Sequence, residues 1–106
     1  MIFNLGSALL DACVLSVLLE KDTYGYELTQ EIKEIAELSE STLYPVLRRL
    51  QKDYLLETYD EPVNGRNRRY YKITDKGKQK LCEYKDEWQR YKSNLDKVLE
   101  RGKADE

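Results

Sequence analysis

The sequence predicts a mainly α-helical fold with one small β-hairpin and a long C-terminal helix, on three observations. Apolar residues recur at helical spacing along most of the chain. A hairpin pattern, Leu55–Asp60 and Arg68–Ile73 around Asn64-Gly65, interrupts them once. The last stretch keeps a heptad repeat from Leu81 to Val98. At 106 residues there is room for one modest core. We expect residues 1–74 to form a compact domain and 75–106 to form a helix and short tail that reach beyond it.

The first helix is expected from about Leu5 to Glu20. Leu5, Leu9, Leu10, Cys13, Val14, Val17, Leu18 and Leu19 cover more than one stripe, so it needs cover on two sides. Its own domain supplies one side and a partner subunit the other. Lys21 and Asp22 turn the chain, and Thr23 is placed to cap a second helix carrying Leu28, Ile32 and Ile35. A third helix begins near Ser39 or Ser41 and ends near Asp53. Leu43, Val46, Leu47 and Leu50 form its apolar side; Ser41, Pro45, Arg48 and Lys52 line the other, flanked by Thr42 and Arg49. Pro45 is expected near the helix start, where a missing amide costs least.

Two strands follow, joined by a loop from Pro62 to Asn67 in which Asn64-Gly65 supplies the turn. Alternation puts Arg69, Tyr71 and Ile73 on the face that packs on the helices, and Arg68, Tyr70 and Lys72 on the other. Arg66 and Arg68 are left at or beside the tip. Thr74 then caps a helix from Asp75 to about Arg101, ~40 Å long at 1.5 Å per residue. Leu81, Trp88 and Leu95 take the a positions and Tyr84, Tyr91 and Val98 the d positions, a seam that predicts self-association. The tail, Gly102–Glu106, is expected to fray.

Charge is informative only locally. The chain carries a net −2, yet from Arg48 to Lys80 ten basic residues face five acidic ones, a local net of +5. Positive potential confined to one segment marks a polyanion-facing surface. There is no histidine, and Cys13 and Cys82 lack metal-ligand spacing, so both are expected to be buried thiols and neither metal nor cofactor is implied. The usual general base is missing, which leaves an enzyme with poor material. No apolar run approaches the ~20 residues of a membrane span, and we expect a cytoplasmic protein with no membrane partner.

A presented helix followed at once by an arginine-bearing hairpin is the layout of a winged helix-turn-helix. The expected partner is double-stranded DNA, with candidate contacts Tyr24, Ser39, Ser41, Thr42, Tyr44, Arg48, Arg49, Lys52, Asn64, Arg66 and Arg68. The alternative is a winged-helix module that meets an acidic protein without reading DNA. A dimer interface is expected at Leu10, Val14, Leu81, Tyr84, Trp88, Tyr91, Leu95 and Val98. Between two subunits Trp88, with Leu5, Leu9 and Tyr91, offers an aromatic platform for a planar small molecule.

The chain also resembles the PadR-like transcriptional regulators, in particular the short-tailed subgroup that includes multidrug-sensing repressors. The resemblance rests on Tyr24-Gly25-Tyr26-Glu27-Leu28, Ser41-Thr42-Leu43-Tyr44-Pro45 with Arg48-Arg49-Leu50, Arg68-Arg69-Tyr70-Tyr71 with Ile73-Thr74 and Gly77, and Trp88. It implies a homodimeric repressor, with the third helix in the major groove, the wing on the backbone or minor groove, and the first and last helices forming the dimer. Two-fold symmetry then implies a pseudo-palindromic operator. In drug-sensing relatives a tryptophan of the last helix lines a flat central pore, and Trp88 is similar to it. One departure stands out: Tyr54 occupies the place of a glycine in the family's Lys-Asp-Gly-Leu run. If that position needs a positive φ, tyrosine carries strain of about 1 kcal/mol or more.

Overall fold

A computed structural model describes residues 6–35 and 39–101; Leu5 and the tail Gly102–Glu106 lie outside the described residues. The elements run α1 (Ser7–Glu20), β1 (Thr23–Tyr24), α2 (Gly25–Lys33), α3 (Glu40–Lys52), β2 (Leu56–Val63), β3 (Arg66–Ile73) and α4 (Asp75–Leu99). The three strands make one antiparallel sheet in the order β1-β3-β2. The mainly α fold with a small β-sheet and a long C-terminal helix is the one the sequence predicts.

Apolar periodicity places the core. Leu10, Val14, Leu15 and Leu18 of α1 meet Leu28 and Ile32 of α2, Leu43, Leu47 and Leu50 of α3, Tyr71 and Ile73 of β3, and Leu81 of α4. Each such side chain, once buried, contributes about 1.5–3 kcal/mol. Val46 packs against this cluster only in part. Ile35, expected with Leu28 and Ile32, is exposed, because α2 stops at Lys33. Cys82 is also exposed, lying one residue past the buried Leu81 on the outer side of α4, while Cys13 is half-buried. Burial raises the Cys13 thiol pKa.

Local chemistry departs from expectation in three places. Thr23 does not cap α2: it pairs with Tyr71 in β1, and Tyr24 precedes the helix with no side-chain cap. A two-residue strand leaves no periodicity in a sequence. The wing loop is only Asn64-Gly65, at φ 52° and 79°, the positive pair a type I′ turn requires. The strands therefore run to Val63 and from Arg66, and Pro62 is tolerated because β2 is an edge strand. Pro45 sits in the second turn of α3 and not the first, so the Ser41 carbonyl lacks its usual amide donor.

The junction from α3 to the wing is a Schellman turn. The Leu55 amide donates to the Leu50 carbonyl (2.9 Å) and the Tyr54 amide to the Gln51 carbonyl (3.0 Å), with Tyr54 at φ 62°. The departure from glycine is thus accommodated in the left-handed region, with Asp53 kept at negative φ. Thr74 joins this turn to α4. Its hydroxyl donates to the Tyr54 carbonyl (2.7 Å) and accepts from the Gly77 amide (2.9 Å), capping the helix. A side chain at Gly77 would strike the Leu55 carbonyl, so only glycine lets α4 start this close to the wing.

Candidate nucleic-acid interface

The outer side of α3 carries hydroxyls at its start and cations toward its end. Ser39 caps the helix by accepting from the Thr42 amide (3.3 Å), and its hydroxyl lies 2.9 Å from that of Ser41 and 3.1 Å from that of Thr42. All three are exposed beside free amides at the positive end of the helix dipole. Tyr44 lies over the start of α2, where Gly25 leaves it room; a Cβ there would come within 2.9 Å of the Tyr44 hydroxyl. Arg48 and Lys52 are exposed and, among the described residues, form no ion pair.

Between the start of α2, α3 and β3 runs a groove of about 540 Å³. Arg48, Arg68 and Arg69 line it with Tyr24, Tyr44 and Gln51, and no carboxylate does. Arg66 and Asn64 stand exposed at the wing tip, beyond the groove. Arg68 lies over the Tyr24 ring, its guanidinium carbon 4.1 Å from the centroid. Arg69 and Gln51 were not among the expected contacts. Strand alternation gives Arg69 to the packed face with Tyr71, but two residues nearer the tip that face runs into the groove. Its pairing with Asp60, 3.8 Å apart and exposed on both sides, is weak.

Arg49, also expected at DNA, is already paired within the chain. Its guanidinium donates through both terminal nitrogens to Asp11 of α1, at 2.8 and 2.7 Å, and Asp11 is only 3% exposed. The Tyr84 hydroxyl of α4 donates to the same carboxylate at 3.4 Å. Leaving Asp11 unpaired in the core would be costly, so the half-exposed Arg49 fork is turned onto it and α1, α3 and α4 are pinned together. The bond to Asp11 raises the Arg49 pKa, and burial, then the Asp11 charge, raises that of Tyr84.

The sequence matches the transcriptional regulator PadR-like family over residues 14–83. The chain belongs to that family. Its fold is accordingly that of a DNA-binding transcriptional regulator. A Lysinibacillus sphaericus protein is 42% identical over 96 residues, covering 86% of this chain and 88% of its own length. The crystal structure of smu.1704 from Streptococcus mutans UA159 is 39% identical and superposes with a TM-score of 0.89, covering 95% of both chains. A PadR family transcription regulator from Clostridium difficile R20291 is 34% identical with a TM-score of 0.80, covering 89% of this chain and 99% of that one.

A second concave surface of this PadR-like chain lies between α1 and α4. Leu9, Ala12, Tyr84, Trp88 and Tyr91 line a cleft of about 570 Å³, with the Trp88 and Tyr91 rings 6.1 Å apart. An adjoining groove of about 520 Å³ shares Leu9, Ala12, Tyr84 and Trp88 and adds Cys13, Val17, Ile35 and Leu81. Of the residues expected at a dimer interface, Leu10, Val14 and Leu81 are instead buried in the chain's own core, and Tyr84 is half-buried at Asp11. They sit where α1 and α4 cross, so the chain itself covers them. Trp88, Tyr91, Leu95 and Val98 lie beyond that crossing and are 38%, 59%, 39% and 54% exposed. Among the described residues no acidic and thiol cluster is placed to hold a metal, and no helix is long and apolar enough to cross a membrane.

Proposed function

We propose that this PadR-like protein is a homodimeric, sequence-specific repressor relieved by a planar aromatic ligand. The observation that carries the DNA side is the groove in which Arg48, Arg68 and Arg69 converge and whose lining holds no carboxylate. A duplex backbone is the polyanion that fits such a groove, with α3 entering the major groove from Ser39, Ser41, Thr42, Tyr44 and Arg48. Tyr24 and Lys52 flank it, and the wing residues Asn64, Arg66 and Arg68 meet the backbone or the minor groove. Arg49 is left out of this set because Asp11 holds it.

The stripe Trp88-Tyr91-Leu95-Val98 supports dimerisation through α4, with α1 alongside. It also supports a division of labour in which residues 1–74 read DNA and 75–106 fix the distance between two copies. A flat ligand between paired Trp88 side chains would change that distance and shift the dimer toward a state that fits the operator poorly. Selection of bound duplexes from a random pool tests the proposal. It predicts a pseudo-palindromic site with half-sites about one helical turn apart or a multiple of it. Enrichment of no duplex would refute DNA readout, and enrichment of a single asymmetric half-site would refute the dimer.

A further inference from the structure

The outer face of the sheet carries three tyrosines in one row. Tyr70 in the central strand faces Tyr24 of β1 on one side and Tyr59 of β2 on the other. Tyr59 and Tyr70 stack, with centroids 5.5 Å apart and planes 13° from parallel, and Tyr24 meets Tyr70 edge-on at 5.6 Å. The far end of the row is fixed, because the Tyr59 hydroxyl donates to Asp22 at 2.7 Å, in the turn between α1 and β1. The near end carries Arg68 on the Tyr24 ring.

Arg68 has an alternative. Its register partner across the hairpin is Glu61, a carboxylate on the same face of the sheet, yet the two form no ion pair. An arginine without a platform loses rotamer freedom when it binds, and one neutralised by a neighbouring glutamate must first be released from it. The stack holds Tyr24 where its ring, together with the charge of Glu27 on α2, draws Arg68 toward α2 and the groove. We propose that Tyr59, through Tyr70 and Tyr24, is a positioning residue for Arg68. The Asp22-anchored row keeps the wing arginine over the groove and off Glu61 before DNA arrives. None of Tyr59, Tyr70 and Asp22 need touch the duplex.

This inference rests on the reading that Arg68 contacts DNA, and a double-mutant cycle separates the two. Affinity for a short mixed-sequence duplex is measured for the full chain, Tyr59→Leu, Arg68→Ala and the double variant, with thermal melts showing that each folds. Tyr59→Leu should weaken binding about two- to fivefold, the scale of one exposed cation–π contact. In the Arg68→Ala background it should change nothing. A general loosening of the wing would instead weaken both backgrounds alike, and that result, or no loss in either, overturns the proposal. If Arg68→Ala is itself silent, the contact role of Arg68 falls and the positioning role with it. Should Tyr59→Leu fail to fold, Tyr59→Phe carries the same test by removing only the bond to Asp22.

Discussion

The groove between α2, α3 and β3 and the cleft between α1 and α4 are nearly equal in volume, about 540 and 570 Å³, but differ in what completes them. The groove is walled by charged and hydrogen-bonding groups that one chain supplies in full, and its charge can be neutralised by a polyanion. Water can wet every surface of it meanwhile. The cleft is walled by Leu9, Ala12, Trp88 and Tyr91 and runs on into a bare stripe along α4. Exposed apolar side chains in a row are costly in water, and in the proposed dimer a second copy covers them. On the proposed function, one chain holds a complete half-site reader and half of a spacer.

The sharpest way to break this contrast is to charge the stripe. Leu95→Glu with Val98→Glu should leave a folded monomer in sedimentation and lower affinity for a selected two-half-site duplex about 100-fold or more, since the second contact is no longer intramolecular. A variant that stays dimeric would move the interface elsewhere. Asp11→Leu attacks the point where the two regions meet. Arg49 is left half-exposed, so the loss is smaller than for a fully buried pair, about 2 kcal/mol in urea unfolding. An unchanged midpoint would mean that the Asp11–Arg49 bond adds nothing.

Tyr54→Gly should raise stability by up to about 1 kcal/mol, by removing a left-handed tyrosine from the Schellman turn, with duplex affinity unchanged. A fall in stability would mean that packing of the Tyr54 ring against Lys76 outweighs the backbone strain. The smallest effect at neutral pH concerns Tyr59, whose pKa is pushed from 10.0 to about 12 by its bond to Asp22 and by burial. A raised folded-state pKa means that its contribution to stability is whole below pH 10 and lost as pH rises through about 12. Ultraviolet titration of the protein against Tyr59→Phe should show one phenol fewer in that upper range, and an ordinary midpoint would remove the Asp22 bond from the account.

Much of the fold was legible because periodicity and turn chemistry are local. The long helix that begins at Asp75, the Asn64-Gly65 turn and the Thr74 cap can all be read from short windows. Features decided across the chain could not. Arg48 and Arg49 are adjacent and chemically identical, yet one is presented and the other bound, because Asp11 lies 38 positions away. Leu10, Val14 and Leu81 look like seam residues until α1 and α4 are seen to cross there. β1 is too short to leave a pattern, and the row of tyrosines it completes comes from three separate segments. In the candidate site the residue types were readable and their partners were not.

The central claim is that the groove and wing hold DNA through Arg48 and Arg68, and the salt dependence of duplex binding tests it most directly. With both residues changed to alanine, affinity should fall and the slope of log affinity against log salt should flatten by about 2, close to one per lost phosphate contact. An unchanged affinity and slope would contradict the account and turn the basic groove over to an acidic protein partner.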